Sequence, residues 1–228
     1  MTRKLYFSCA TPGSAGNFVN RLIRGLDPDT EYLDFSAITY SQTPPTVITK
    51  EFFFENIQIP DTGNYIVSVP FTPDYDKLNT RFPDSKVVVL THSVEECNTI
   101  ARAYYQSYFK ESYEISSEPF FRNILQTHSH LFSNVNATPD ELSDKEVSIF
   151  IKILSYQKLL DGFHSHVVPV SSNVVELKFR NLFLNTTDTE QRLEQFIGST
   201  FNETARALTR QMTLYFIEQY FNLNKKLV

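Results

Sequence analysis

Tryptophan is absent from this chain of 228 residues, and cysteine occurs twice, as Cys9 and Cys97. Two cysteines so far apart exclude a disulfide-stapled scaffold and a four-cysteine zinc site. Glycine is scarce, at six residues, which excludes collagenous or glycine-rich low-complexity chain. No apolar run approaches the roughly 20 residues of a membrane-crossing helix. A basic excess is also missing: 21 Lys and Arg face 26 Asp and Glu, a net charge of −5. That balance argues against a general nucleic-acid-binding surface. Met1 to Lys4 is basic, but the apolar stretch from Leu5 to Ala10 is too short for a secretion signal and runs into a turn. These absences lead to the expectation of a soluble, cytoplasmic protein. What is plentiful is phenylalanine and tyrosine, 20 and 12 residues, the side chains of aromatic packing between regular elements. At this length a single domain over residues 1–228 is expected, with a helical region at about 113–165.

The first elements are read most directly. Lys4 to Ala10 is short, apolar and aromatic and precedes a Pro-Gly pair, which reads as a buried strand. Residues 11–16 form a loop of small side chains. A helix follows over 17–26, with Phe18, Val19, Leu22, Ile23 and Leu26 on one stripe. Further strands are expected at Tyr65–Pro70, at Lys86–Thr91 and at Val174–Phe179, with a weaker one within Glu31–Ile38. The run Val87-Val88-Val89-Leu90 has the continuous β-branched character of an internal parallel strand. Ser93 is positioned to cap a helix reaching about Lys110, and Asp74–Phe82 reads as a short helix or turn. Helices are also expected over Pro119–Leu131, from the Thr138–Glu141 or Ser143–Glu146 capping boxes to about Asp161, from a Thr187–Glu190 box to Gly198, and over Glu203–Asn222. The alternation gives an α/β fold: a central, mostly parallel sheet with helices on both faces and a helix-rich second half.

A loop of small residues between a strand and a helix start lets backbone N–H groups approach an anion, and the helix dipole favours negative charge there. The Thr11–Asn17 stretch therefore reads either as a phosphate site, with Ser14 and Asn17 as further donors and Arg21 and Arg24 one and two turns on, or as a plain strand-to-helix turn. It lacks the Gly-Lys-Ser/Thr of a Walker loop and the G-x-G-x-x-G dinucleotide fingerprint. A kinase-type phosphotransfer site is disfavoured for want of the Walker lysine. If a ligand is bound, the expected place is the C-terminal edge of the sheet, near residues 11–17, 68–72 and 92–94.

The succession of segments adds a resemblance. A strand leads into a Pro12-x-Ser14-x-Gly16-x-Phe18 loop. Then come Arg81-Phe82-Pro83-Asp84-Ser85-Lys86 running into Val87–Thr91, the Tyr104-Tyr105 pair, Leu177-Lys178-Phe179-Arg180-Asn181-Leu182-Phe183, and Phe196-Ile197-Gly198. In this order they resemble the sulfotransferase superfamily, a P-loop-like α/β fold. The resemblance implies a 3′-phosphoadenosine 5′-phosphosulfate cofactor held by Pro12, Gly13, Ser14, Ala15, Gly16, Asn17 and Arg21. It also implies sulfuryl transfer to a hydroxyl or amine acceptor, without a metal. Three positions depart from the family pattern. Gly13 stands where the family has a sulfuryl-contacting Lys, Ser68 where it often has a His, and His92 where it has an Arg for the 3′-phosphate. Ser68 and His92 are accordingly the candidate catalytic residues, and Lys4 or Arg21 the candidate replacements for the missing cation. The competing expectation is a fold retained while its catalytic groups are lost, working as a binding or structural component of a larger assembly with a protein partner or a second copy.

The remaining candidates carry less. His128-x-His130 and His164-x-His166 lack Cys or acidic ligands at zinc-site spacing, and two positions apart on a helix do not share a face. Cys9 ends a buried strand and reads as a small hydrophobe rather than a nucleophile; Cys97 has no histidine at helical spacing. Ser14 lacks a nucleophile elbow. Phe52-Phe53-Phe54 and Phe120-Phe121 are core by default, although three consecutive Phe cannot all face one core on a regular strand.

Overall fold

The computed structural model describes residues 3–10, 15–34, 57–69, 73–111, 118–156 and 168–218. Within them, five strands form one sheet: β1 (Leu5–Cys9), β2 (Thr30–Asp34), β3 (Asn64–Val69), β4 (Lys86–Thr91) and β5 (Val174–Lys178). Every pairing is parallel, and the order is β2-β3-β1-β4-β5. All five residues of β1 are buried, as are Val87 to Leu90 in β4. Their apolar character, broken only by Ser8 in these two runs, follows from a parallel sheet covered on both faces.

The two faces are unequal. Tyr6, Ile66, Val88, Leu90 and Leu177 point into the larger core, which takes in most of the helices. Phe7, Cys9, Val67, Val87 and Val89 point the other way, onto Leu78 and Ile57. Helix α1 (Gly16–Leu26) buries the expected stripe against the larger core, together with Asn20. Helix α2 (Tyr75–Arg81) covers the smaller one, started by Asp74, whose carboxylate accepts from the Lys77 amide at 3.1 Å.

Helix α3 (Val94–Tyr104) starts from a capping box of Ser93 and Glu96. Helical winding continues to Lys110, as expected, but over Tyr105–Lys110 it is the wider π form. That winding places Phe109, wholly buried, against Phe121 and Phe150 at ring-centroid distances of 5.6 and 5.4 Å. Helix α4 (Glu118–Thr127) stops four residues short of expectation and tightens into a 3-10 turn at Ser129–Leu131. The two capping boxes have different outcomes. Thr138 and Glu141 head a single 3-10 turn, because Leu142 is extended at φ −71, ψ 132; Ser143 and Glu146 start α5 (Asp144–Leu154).

β5 ends one residue early, since Phe179 opens a short helix that the sequence did not suggest, α6 (Phe179–Leu184). Helix α7 (Thr186–Ile197) starts from Asn185 without a side-chain cap, so the Thr187–Glu190 pattern is not a capping box; Gly198 ends it at φ 79. Asn202 caps α8 (Glu203–Ile217). No helix among the described residues is long and apolar enough to cross a membrane.

The N-terminal edge of the sheet is closed by polar contacts. Tyr6 Oη donates to the buried Asp27 carboxylate at 2.8 Å, and Lys4 Nζ lies 3.0 Å from the same oxygen. Lys86 Nζ donates to the carbonyls of Phe196 and Ile197 at 2.6 and 3.2 Å. A cation there offsets the unpaired carbonyls at the end of α7.

Candidate functional site

The sheet order defines where connections diverge. From β1 the chain proceeds to β2 on one side of the sheet; from β4 it proceeds to β5 on the other. The C-terminal ends of the adjacent strands β1 and β4 therefore form the topological switch point, the place where open α/β sheets take their ligands. Cys9 and Ala10 end one strand there, and Thr91 and His92 the other.

Helix α1 begins at this edge. Ala15, its N-cap, is left-handed at φ 64, a conformation that costs a non-glycine residue strain. A Cβ on Gly16 would lie 3.0 Å from the Ala10 Cβ, so the first turn of α1 sits close on the end of β1. No side chain caps α1, and its first turn holds no acidic residue. Its leading N–H groups thus remain as donors in a positive helix-end potential. Ser8 Oγ on β1 and both amide atoms of Asn20 on α1 are buried without hydrogen-bond partners among the described residues. An uncapped helix start with orphaned polar atoms on the two flanking elements fits a phosphate-bearing ligand. Asn17 is exposed. Pro12, Gly13 and Ser14 lie outside the described residues.

The other expected residues are dispersed. Ser68 is half-buried near the end of β3, in register with Ser8. Arg21 is exposed and its Nη1 donates to the Met212 sulfur of α8 at 3.4 Å, so its head group is turned along α1 toward α8. Lys4 stands at the opposite end of β1, paired with Asp27. It does not replace the missing cation, because the length of the strand separates it from α1's start.

His92 is buried, with Nδ1 3.7 Å from the Cys97 sulfur. The thiol donates to the Ser93 carbonyl at 3.4 Å, and burial pushes its pKa up. Cys97 therefore has a histidine neighbour that helical spacing did not reveal. The available signal was the capping box: His92 precedes the cap and Cys97 is the fourth helical residue, the two positions that pack together across a helix start. Cys9 is wholly buried, and burial raises its pKa, as suits a small core side chain.

Sequence reasoning missed three polar residues at this edge. Thr91 Oγ1 donates to Glu176 Oε1 at 2.6 Å, joining the end of β4 to the middle of β5. Lys178 is exposed at the end of β5, in register with Thr91. The signal was their place on strands that the sequence did delimit: Thr91 and Lys178 end β4 and β5, and Glu176 lies two residues before the end of β5. Of the first His-x-His pair, His128 precedes the 3-10 turn after α4 and is half-buried, and His130 lies within that turn and is exposed; His164 and His166 lie outside the described residues. Among the described residues, no three His, Cys, Asp or Glu side chains gather as a metal site.

The class defined by these features is a five-stranded parallel α/β protein with an uncapped helix start at its switch point. The fold is similar to a sulfotransferase from Alicyclobacillus acidocaldarius, at 11% identity and a TM-score of 0.44, over 98% of this chain and 96% of that one. It is also similar to the mouse sulfotransferase SULT7A1 complexed with PAP, at 12% identity and a TM-score of 0.45, over 92% of this chain and 64% of the mouse chain. No protein-family model matches the chain, and neither does any curated protein sequence.

Proposed function

We propose that this chain binds a 3′-phosphoadenosine 5′-phosphosulfate-type donor at the start of α1 and transfers its sulfuryl group to a hydroxyl or amine acceptor. The observation that carries the reading is the uncapped, acid-free N-terminus of α1 at the switch point of a parallel sheet. In this reading the backbone N–H groups of Gly16 and Asn17, with the Ser14 hydroxyl, hold phosphate oxygens. When bound, the phosphosulfate supplies the sulfuryl group and the phosphate that departs. Charge grows on that phosphate during transfer, so a cation beside it is needed. Lys178, at the same edge and in register with Thr91, takes that part in place of Gly13.

The burial of His92 against Cys97 favours a second reading, in which the donor site serves binding rather than turnover within a larger assembly. Calorimetric titration with 3′-phosphoadenosine 5′-phosphate tests both. Micromolar binding that Ser14→Ala weakens and Gly13→Lys strengthens is the expected result. No heat and no thermal shift at millimolar nucleotide removes the donor site from either reading.

A further inference from the structure

On the α2 side of the same edge lies a polar cluster that no expectation included. Tyr75 is the first residue of α2, and its hydroxyl oxygen is buried without a hydrogen-bond partner. Burial raises the phenol's pKa, and Cys9 and Glu176 add to the shift. The phenol therefore keeps its proton, has no acceptor for it among the described residues, and packs on the face of the sheet that carries Cys9 and Val89. Cys9, Val89 and Glu176 are consecutive partners across β1, β4 and β5, which puts them in one row on one face of the sheet. Thr91 is two residues beyond Val89 on that face and donates to Glu176 Oε1. That leaves Oε2 of a half-buried carboxylate available, with a hydroxyl donor fixing the orientation of the group.

A buried phenol with a proton to donate and a carboxylate with an oxygen to accept are complementary to one kind of ligand group. It must accept one hydrogen bond and donate another while keeping a lone pair for attack, as an alcohol oxygen with its two lone pairs does. We propose that Glu176, oriented by Thr91, takes the proton of the acceptor and that Tyr75 donates to the same acceptor atom. The proposal rests on the sulfuryl-transfer reading. As the new O–S bond forms from the alcohol's free lone pair, the acceptor's proton moves to Glu176. The S–O bond to the donor phosphate breaks, and its electron pair leaves on the phosphate oxygen. Glu176 is thus a catalytic residue and Thr91 a positioning residue. His92, packed under the start of α3, is not required as the base.

The test uses the full chain and the variants Glu176→Gln, Tyr75→Phe, Thr91→Val and Thr91→Ser. Gln keeps the oxygen that accepts from Thr91, so an unchanged thermal midpoint is the folding check. Saturation-transfer NMR without nucleotide, with ethanolamine, glucosamine and tyramine as probes, reads acceptor occupancy directly. A signal from at least one probe is expected in the unaltered chain, weakened in Tyr75→Phe. With 3′-phosphoadenosine 5′-phosphosulfate added, Glu176→Gln should lower kcat by about 10²- to 10⁴-fold, with affinity for 3′-phosphoadenosine 5′-phosphate unchanged. Thr91→Val should lower kcat less than Glu176→Gln does, with the acceptor KM unchanged, and Thr91→Ser, which keeps the hydroxyl that orients the carboxylate, should restore the rate. Transfer by Glu176→Gln at the unaltered rate overturns the assignment, and so does the absence of a signal from all three probes. Donor binding without transfer to any probe also overturns it while leaving the donor site standing. Failure to bind nucleotide at all removes the parent reading instead.

Discussion

Glu146 has both carboxylate oxygens fully engaged. Oε1 accepts from the backbone N–H and hydroxyl of Ser133, each at 2.7 Å. Oε2 accepts from the backbone N–H and hydroxyl of Ser143, at 2.9 and 2.6 Å. These four donors hold its pKa down at about 2, because each favours the charged form. The lowered pKa fixes the sign of the pH effect. Stabilisation is complete above the ordinary carboxylate range near 4.5 and is lost as pH falls from there towards 2. Glu146→Gln should therefore lower the thermal midpoint at pH 7. The gap between variant and unaltered chain should close between about pH 4.5 and 2, as followed by circular dichroism melts. An unchanged gap across that range would mean that packing, not the charge, holds Ser133 to α5.

Elements differ in how far local signals set them. Ser143→Ala removes the cap of an 11-residue helix and should cost about 1 kcal/mol in urea unfolding. Thr138→Ala removes the cap of a three-residue turn and should cost less. Phe109→Ala should cost about 3–5 kcal/mol, because the wholly buried ring is shared among α3's π extension, α4 and α5. The strands and the α1 stripe were legible because period and apolar run length are local quantities. The π winding was not legible, since it is set by where Phe109 must point. Nor was α6, which continues directly from β5 with no breaker between Lys178 and Phe179. At the site, the position of the loop was readable from the strand–loop–helix order. Tyr75, Thr91 and Glu176 were not, because they come from three distant segments: Thr91 and Glu176 meet through sheet register, and Tyr75 joins that face through the packing of α2.

The whole molecule depends on its last third. β5 completes the sheet against β4, α7 and α8 close α1, and Lys86 joins β4 to the end of α7 across 110 positions. A chain cut before Val168 should lose the cooperative thermal transition and bind hydrophobic dyes, since β4 then becomes an exposed edge; a sharp melt in calorimetry would show instead that the first part folds alone. The Lys86 contact also has a meaning in time. During synthesis, Lys86 leaves the ribosome long before its partner carbonyls exist. At roughly 5–20 residues per second, the intervening chain takes about 5–20 s to appear. Through that interval a nearly complete sheet waits with its most hydrophobic strand uncovered on one side. A pulse-chase on the nascent chain should therefore show that strand protected from hydrophobic capture only after α7 has been made.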